Sequence, residues 1–151
     1  MEIILFEPEI PPNTGNVARL CAALDLPLNL IEPLGFKIDD RHLKRAGLDY
    51  WPHVRLKVWP DWMRFRKNWS KGPLLGTSAR RGDLYCSIPI PADAGLVFGP
   101  ETRGLPSEII DELDQLLRIP IKPAVRSINL STCVGLVAGE AVRQNNLWPD
   151  R

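Results

Sequence analysis

Apolar runs of about four residues, closed by proline, glycine or small residues, alternate along this chain with stretches of helical periodicity. Few folds accept that alternation. Ile3-Ile4-Leu5-Phe6, ended by Glu7-Pro8, has the pattern of a strand buried on both faces. Val17, Leu20, Cys21 and Leu24 then recur at i, i+3, i+4 and i+7, which predicts an amphipathic helix from Gly15 or Asn16 to Leu24. Residues 28–31 and 54–59 read as further strands, and Asp61 as the cap of a helix running to about Trp69. Residues 74–77 and 96–98 are two more strands. Ser107 is expected to cap a helix whose Ile109, Ile110, Leu113, Leu116 and Leu117 lie largely on one side. Ile119-Pro120-Ile121 would be a last strand, its proline favouring an edge or terminus. Leu130, Val134, Val137, Ala138 and Ala141 share a face of a C-terminal helix, with Ser131 as N-cap. Strands separated by helices imply an α/β fold with a three-layer parallel sheet. Ligands of such sheets sit beyond the carboxyl ends of the strands, which singles out the loops after Phe6, Thr77, Phe98 and Ile121.

A length of 151 residues predicts one domain, 1–151, able to bury its core without a disulfide or metal staple. No apolar run approaches the roughly 18 residues of a membrane span, so no membrane partner is expected. Glu2, Glu7 and Glu9 around the first apolar run are the wrong charge pattern for a signal peptide. Three cysteines (Cys21, Cys86, Cys133) without ligand spacing, and only two histidines, point to a cytoplasmic protein with free thiols and no metal. The formal charge of +1 conceals an asymmetry. Between Phe36 and Gly82 twelve lysines and arginines face four aspartates, a surplus of eight, and the remainder of the chain carries −7. The same segment holds Tyr50, Trp51, Trp59, Trp62, Phe65 and Trp69. Cations attract phosphates and aromatics stack on unpaired bases, so the segment is a candidate RNA surface; the plainer alternative is a solvated face over core aromatics.

In the loop Glu7-Pro8-Glu9-Ile10-Pro11-Pro12-Asn13-Thr14-Gly15-Asn16, the residues Asn13, Thr14 and Asn16 suit helix capping or a polar site. Arg19 is a cation in the first turns of an otherwise apolar helix, open to a surface ion pair or to a functional role. In Phe98-Gly99-Pro100-Glu101-Thr102-Arg103-Gly104-Leu105-Pro106 the glycines have phosphate-loop spacing, but Leu105-Pro106 replaces the required Lys-Ser/Thr, which argues against an NTPase. No GxGxxG follows a strand, so a Rossmann dinucleotide site lacks support too. What remains is a glycine-lined turn around Glu101 that lets backbone approach a ligand. Cys133 has no histidine or second cysteine near it in sequence and reads as a structural thiol.

In this order the loops resemble those of the SPOUT superfamily of knotted RNA methyltransferases, in particular the small TrmL (YibK-type) tRNA 2′-O-methyltransferases. The resemblance is carried by the two loops just quoted, with Arg19, and by Arg118-Ile119-Pro120-Ile121 with Arg126-Ser127-Ile128-Asn129-Leu130-Ser131. Ile31-Glu32-Pro33-Leu34-Gly35-Phe36 and Arg45-Ala46-Gly47-Leu48-Asp49-Tyr50 also match, so it extends from Met1 to about Trp148. It implies a C-terminal trefoil knot and a homodimer that shares its RNA surface between subunits. It also implies S-adenosylmethionine held by Gly76, Thr77, Gly99, Ile119, Ser127 and Leu130, largely through backbone groups. The implied acceptor is the ribose 2′-hydroxyl of the wobble nucleotide (position 34, cytidine or modified uridine) in the tRNA anticodon stem-loop.

Catalysis is implied at Arg19, near Asn13, Glu101, Ser127 and Asn129. An arginine side chain holds its proton too tightly to be a good general base. A cation that stabilises the developing oxyanion or anchors a phosphate, with water or a carboxylate taking the proton, fits its chemistry better. Two positions depart from the family pattern. Gly139 stands where some members carry an aromatic residue, and Gly76 where many carry a larger apolar one, which is expected to loosen a wall of the cofactor pocket. The alternatives are the same reaction at another tRNA position or on rRNA, and a knotted RNA-binding protein without transfer. Retention of Arg19, Glu101 and Asn129 together argues against the last.

Overall fold

A computed structural model describes residues 1–38 and 49–149. In chain order the elements are β1 (Glu2–Phe6), α1 (Pro11–Ala23), β2 (Leu28–Ile31), a 3-10 turn (Trp51–His53), β3 (Leu56–Trp59), α2 (Trp62–Asn68), β4 (Leu74–Ser78), β5 (Asp83–Leu84), β6 (Gly95–Phe98), α3 (Ser107–Ile110), β7 (Gln115–Arg118) and α4 (Leu130–Asn145). The strands form one sheet in the order β3-β2-β1-β6-β4-β7-β5, and every neighbouring pair is parallel. This is the α/β architecture expected from the alternation of runs.

Alternate residues of the central strands feed two cores, as the period of two requires. Ile3, Leu5, Leu96 and Phe98 pack with Val17, Ala18 and Cys21 of α1 and with Val134, Val137, Ala138 and Ala141 of α4. Ile4, Phe6 and Val97 pack on the other face with Trp62 and Phe65 of α2 and Ile109 of α3. Asn29 is the polar exception inside β2. It is satisfied by donating to the Glu2 carboxylate at 2.7 Å and accepting the Trp59 indole N–H at 2.9 Å.

The aromatics of the basic segment are mostly structural. Trp62 and Phe65 are buried, with Trp59 and Trp69 half-buried against them, so they fasten α2 to the sheet. Arg64, Arg66 and Lys67 remain exposed on the same helix. Arg41, Arg45 and the family-like residues 45–48 lie outside the described residues. No described helix is long and apolar enough to cross a membrane.

After β4 the chain passes beyond β7, pairs there as β5, and returns to β6. Gln144 and Asn145 at the end of α4 hydrogen-bond to the backbone of Ile88 and Ile90 on that returning segment. The last helix is thereby tied to the segment that wraps β7, a course compatible with the expected knot.

Several boundaries differ from the sequence reading, each for a local reason. Helix α1 begins at Pro11, four or five residues early, because prolines in a first turn lack the N–H that would otherwise go unpartnered. No side chain caps it, and Asn13 and Thr14 are buried within it. Helix α3 is a single turn after Pro106, not a long helix capped by Ser107. Leu116 and Leu117 belong instead to β7, where Gln115–Arg118 pair with residues 75–78 of β4. Ile119-Pro120-Ile121 lies past that strand, since Pro120 has no N–H to extend the ladder. The N-cap of α4 is Asn129, not Ser131. The two-residue β5 is exposed and carries no apolar run that would mark it.

Asp61 does cap α2, its carboxylate accepting the Arg64 amide at 2.6 Å. Asp61→Ala should therefore lower unfolding stability by about 1 kcal/mol in urea titration, with fold and oligomeric state unchanged.

Candidate active site

Strands β1 and β6 are adjacent, so the loops that leave their carboxyl ends meet. Glu101 of the second loop reaches into the first. Its Oε2 accepts the Glu9 amide at 2.8 Å, and its Oε1 accepts the Ile10 amide and Asn13 Nδ2, both at 3.2 Å. Glu9 returns the contact, accepting the Thr102 amide at 3.0 Å and the Thr102 hydroxyl at 2.9 Å. Glu7 and Arg103 form an ion pair beside them. A carboxylate offers about four lone pairs, so Glu101 has most of its acceptor capacity committed to holding the other loop.

The network continues into the last helix. Asn129 Nδ2 donates to Asn13 Oδ1 at 2.8 Å. Asn129 Oδ1 accepts the amides of Ser131 at 2.9 Å and Thr132 at 3.4 Å, capping α4. Asn13, Glu101 and Asn129 are therefore brought together by side-chain hydrogen bonds. Ser127 is exposed in the loop just before them and makes no hydrogen bond among the described residues.

Arg19 takes a different place. Its side chain is exposed on α1, and its guanidinium carbon lies 5.1 Å from the centroid of the Tyr50 ring. The Tyr50 hydroxyl donates to the Gly15 carbonyl at 3.1 Å. Burial raises the Tyr50 pKa, Arg19 opposes that shift and Asp49 adds to it. Arg19 stands six residues beyond Asn13, about 120° around the helix from it. Within one chain it is hydrogen-bonded neither to Asn13 nor to Glu101, Ser127 or Asn129 among the described residues.

The cofactor candidates cluster through sheet order. Strands β6, β4 and β7 are neighbours, so Gly99, Thr77 and Ile119 emerge side by side at one edge. Thr77 Oγ1 donates to the Val97 carbonyl at 3.4 Å. Leu130 is the buried first residue of α4. A Cβ on Gly99 would run into the backbone of Gly104 and Leu105, so a glycine there allows the turn to close, with Gly104 itself at φ +68°. Gly76 does not loosen a wall. The place a Cβ would take is filled by the Leu113, Leu105 and Leu116 side chains. Gly139 faces open space. Burial pushes the Cys133 thiol up to about 11, against a smaller lowering by its hydrogen bond to Thr77, so it is protonated at neutral pH. The described residues contain no cluster able to hold a metal ion.

Sequence reasoning gave no role to Glu9 or Thr102, and took Tyr50 only as one of the aromatics in the basic segment. Glu9 and Glu101 are 92 residues apart, and no spacing rule links them. The repeated pairing of acids with prolines in the first loop was the available signal.

Residues 1–139 match the SpoU rRNA Methylase family. A tRNA (cytidine(34)-2′-O)-methyltransferase of Saccharophagus degradans is 46% identical over 144 residues, 94% of each chain. A solved structure concerned with the 2-OH methylation of C/U34 on tRNA is 44% identical and superposes with a TM-score of 0.92, covering 96% of this chain and 95% of that one. The AdoMet-bound rRNA methyltransferase of Sinorhizobium meliloti, 23% identical, shares the fold with a TM-score of 0.84 over 94% of this chain and 55% of its own. Since the matched stretch contains both interlocked loops and the Asn129 cap, the chain belongs to the SpoU rRNA Methylase family.

Proposed function

We propose that this protein, acting as a single domain over residues 1–151, methylates the ribose 2′-hydroxyl of the wobble nucleotide of tRNA (position 34, cytidine or modified uridine), with S-adenosylmethionine as donor. The observation that carries this reading is the joined Glu9–Glu101–Asn13–Asn129 network, in a chain that shares 46% of its residues with an enzyme named for that reaction.

The residues present fit the cofactor. Loop 120–128 keeps one backbone–backbone hydrogen bond among the described residues, Val125 N–H to the Lys122 carbonyl. Its other main-chain groups have no backbone partner among the described residues and would hold the cofactor together with Gly76, Thr77, Gly99, Ile119, Ser127 and Leu130. When bound there, S-adenosylmethionine would supply an electrophilic methyl on a sulfonium, with a neutral thioether as the leaving group. The chain must align the acceptor oxygen and manage its proton and developing charge. Arg19 serves as a cation and hydrogen-bond donor at that oxygen or its neighbouring phosphate. The Asn13–Glu101–Asn129 group keeps the loops around the reacting atoms in place.

A homodimer completes this arrangement. Arg19 is exposed on α1 without a hydrogen bond to the network among the described residues, and Leu136 is exposed on α4, the helix that packs against α1; these exposed groups support a second copy docking against the two helices. The wrapped β7 segment bonded to α4 supports a trefoil knot. Arg64, Arg66 and Lys67 on α2 are described cations suited to the anticodon stem-loop, and a tRNA substrate supports a cytoplasmic location.

Transfer of labelled methyl to bulk tRNA, followed by nucleoside mass spectrometry, tests the reading. A 2′-O-methylated wobble nucleoside is expected. Methylation at another tRNA position or on rRNA would move the substrate, and absence of both transfer and cofactor binding would overturn the reading. Arg19→Ala should reduce turnover by about 100-fold or more while calorimetric affinity for S-adenosylmethionine stays within twofold; undiminished turnover would remove Arg19 from the mechanism. Arg66→Glu should weaken tRNA binding and lower the log–log salt slope by about one; an unchanged slope would place the RNA elsewhere.

A further inference from the structure

We infer that Tyr50 is the positioning residue for Arg19, holding the guanidinium on its ring face while its hydroxyl fastens the ring to the helix that bears Arg19. The inference rests on the methyl-transfer reading above, in which Arg19 acts at the acceptor oxygen.

Side chains on a helix lean toward its N-terminus, so Arg19 reaches back over the turn that carries Gly15. Gly15 presents no side chain on that turn, and the Tyr50 hydroxyl bonds its carbonyl at 3.1 Å. This brings the ring under the guanidinium at 5.1 Å. Further contacts fix the ring from behind. Tyr50 packs half-buried against the core that contains α1, and the Trp51 ring meets it edge-on at 6.3 Å. The Tyr50 carbonyl accepts the His53 amide at 2.9 Å, which closes the 3-10 turn beside α1.

The chemistry of the contact suits a catalytic cation. An exposed arginine samples many rotamers, and a carboxylate partner would confine it only by occupying its donors and offsetting its charge. A ring face restrains the guanidinium from one side and leaves its in-plane N–H donors pointing outward. Among the described residues no carboxylate pairs with Arg19. Tyr50 therefore presets the direction in which Arg19 meets the RNA and preserves its charge for the step that needs it.

The test compares Tyr50→Leu, which keeps bulk and removes the ring face, with Tyr50→Phe, which keeps the face and loses the Gly15 bond. Loss of a cation–π contact of this kind should lower kcat of Tyr50→Leu by about fivefold to tenfold, with KM for tRNA and cofactor affinity within twofold. Tyr50→Phe should retain kcat to within about threefold. A second readout does not depend on turnover. The Arg19 Nε–Hε proton should be shifted upfield by the ring in wild type and in Tyr50→Phe, and return to its ordinary position in Tyr50→Leu. Equal kcat losses in the two variants, a loss that follows melting temperature, or an unshifted Hε in wild type would overturn the assignment. An inactive wild type with a shifted Hε would support the stacking and overturn the methyl-transfer reading instead.

Discussion

Glu9 and Glu101 each use their carboxylates on the other's loop. Glu101 accepts the amides of Glu9 and Ile10, and Glu9 accepts the amide and hydroxyl of Thr102. Backbone amides at the carboxyl ends of β1 and β6 would otherwise rely on water, and each loop would be free to move over the sheet edge. Asn13 extends the link, bonded to Glu101 on one side and to Asn129 on the other, and Asn129 is the cap of α4. Two loops and a helix start, from three distant parts of the chain, are thus one hydrogen-bonded unit. Such networks rigidify when their members are satisfied, and this one meets that condition closely.

The unit divides the labour of the proposed reaction. The residues proposed to hold the cofactor lie on one side of it, at the ends of β6, β4 and β7, beside loop 120–128, whose main chain keeps a single backbone–backbone hydrogen bond among the described residues. Arg19 lies on another side, on the exposed face of α1, supported by Tyr50. Its own chain does not hydrogen-bond it to the network among the described residues, which is the observation behind the proposed sharing of the site between two copies. Cys133, hydrogen-bonded to Thr77, is held in the thiol form by burial.

Much of this was legible in local patterns. Ile3 to Phe6 and Leu28 to Ile31 could hardly be anything but buried strands, and Asp61 stood where a cap belongs. Other segments misled for definable reasons. Ile109 to Leu117 carries a helix-like spacing of apolar residues, yet β4 presents an open edge, and pairing there takes Leu116 and Leu117 into the sheet. Gly76 suggested a gap in the cofactor pocket, because the leucines that fill its space come from residues 29 to 40 positions away. The tryptophans among the basic residues suggested a stacking platform, and the packing of Trp62 and Phe65 under α2 assigns them to the core.

The sequence by itself determined the α/β class, the loops that carry the chemistry, and most of the residues in them, because strand burial, helix periodicity and turn chemistry act over a few neighbours. It also carried the order of motifs that marks the family. Tertiary structure alone decided which groups meet. Glu9 finds Glu101 across 92 residues, Asn13 finds Asn129 across 116, and Arg19 stacks on Tyr50 and stays apart from the network. Those pairings depend on the order in which parallel strands are laid side by side, and that order is set by the packing of the whole sheet, not by any local run of residues.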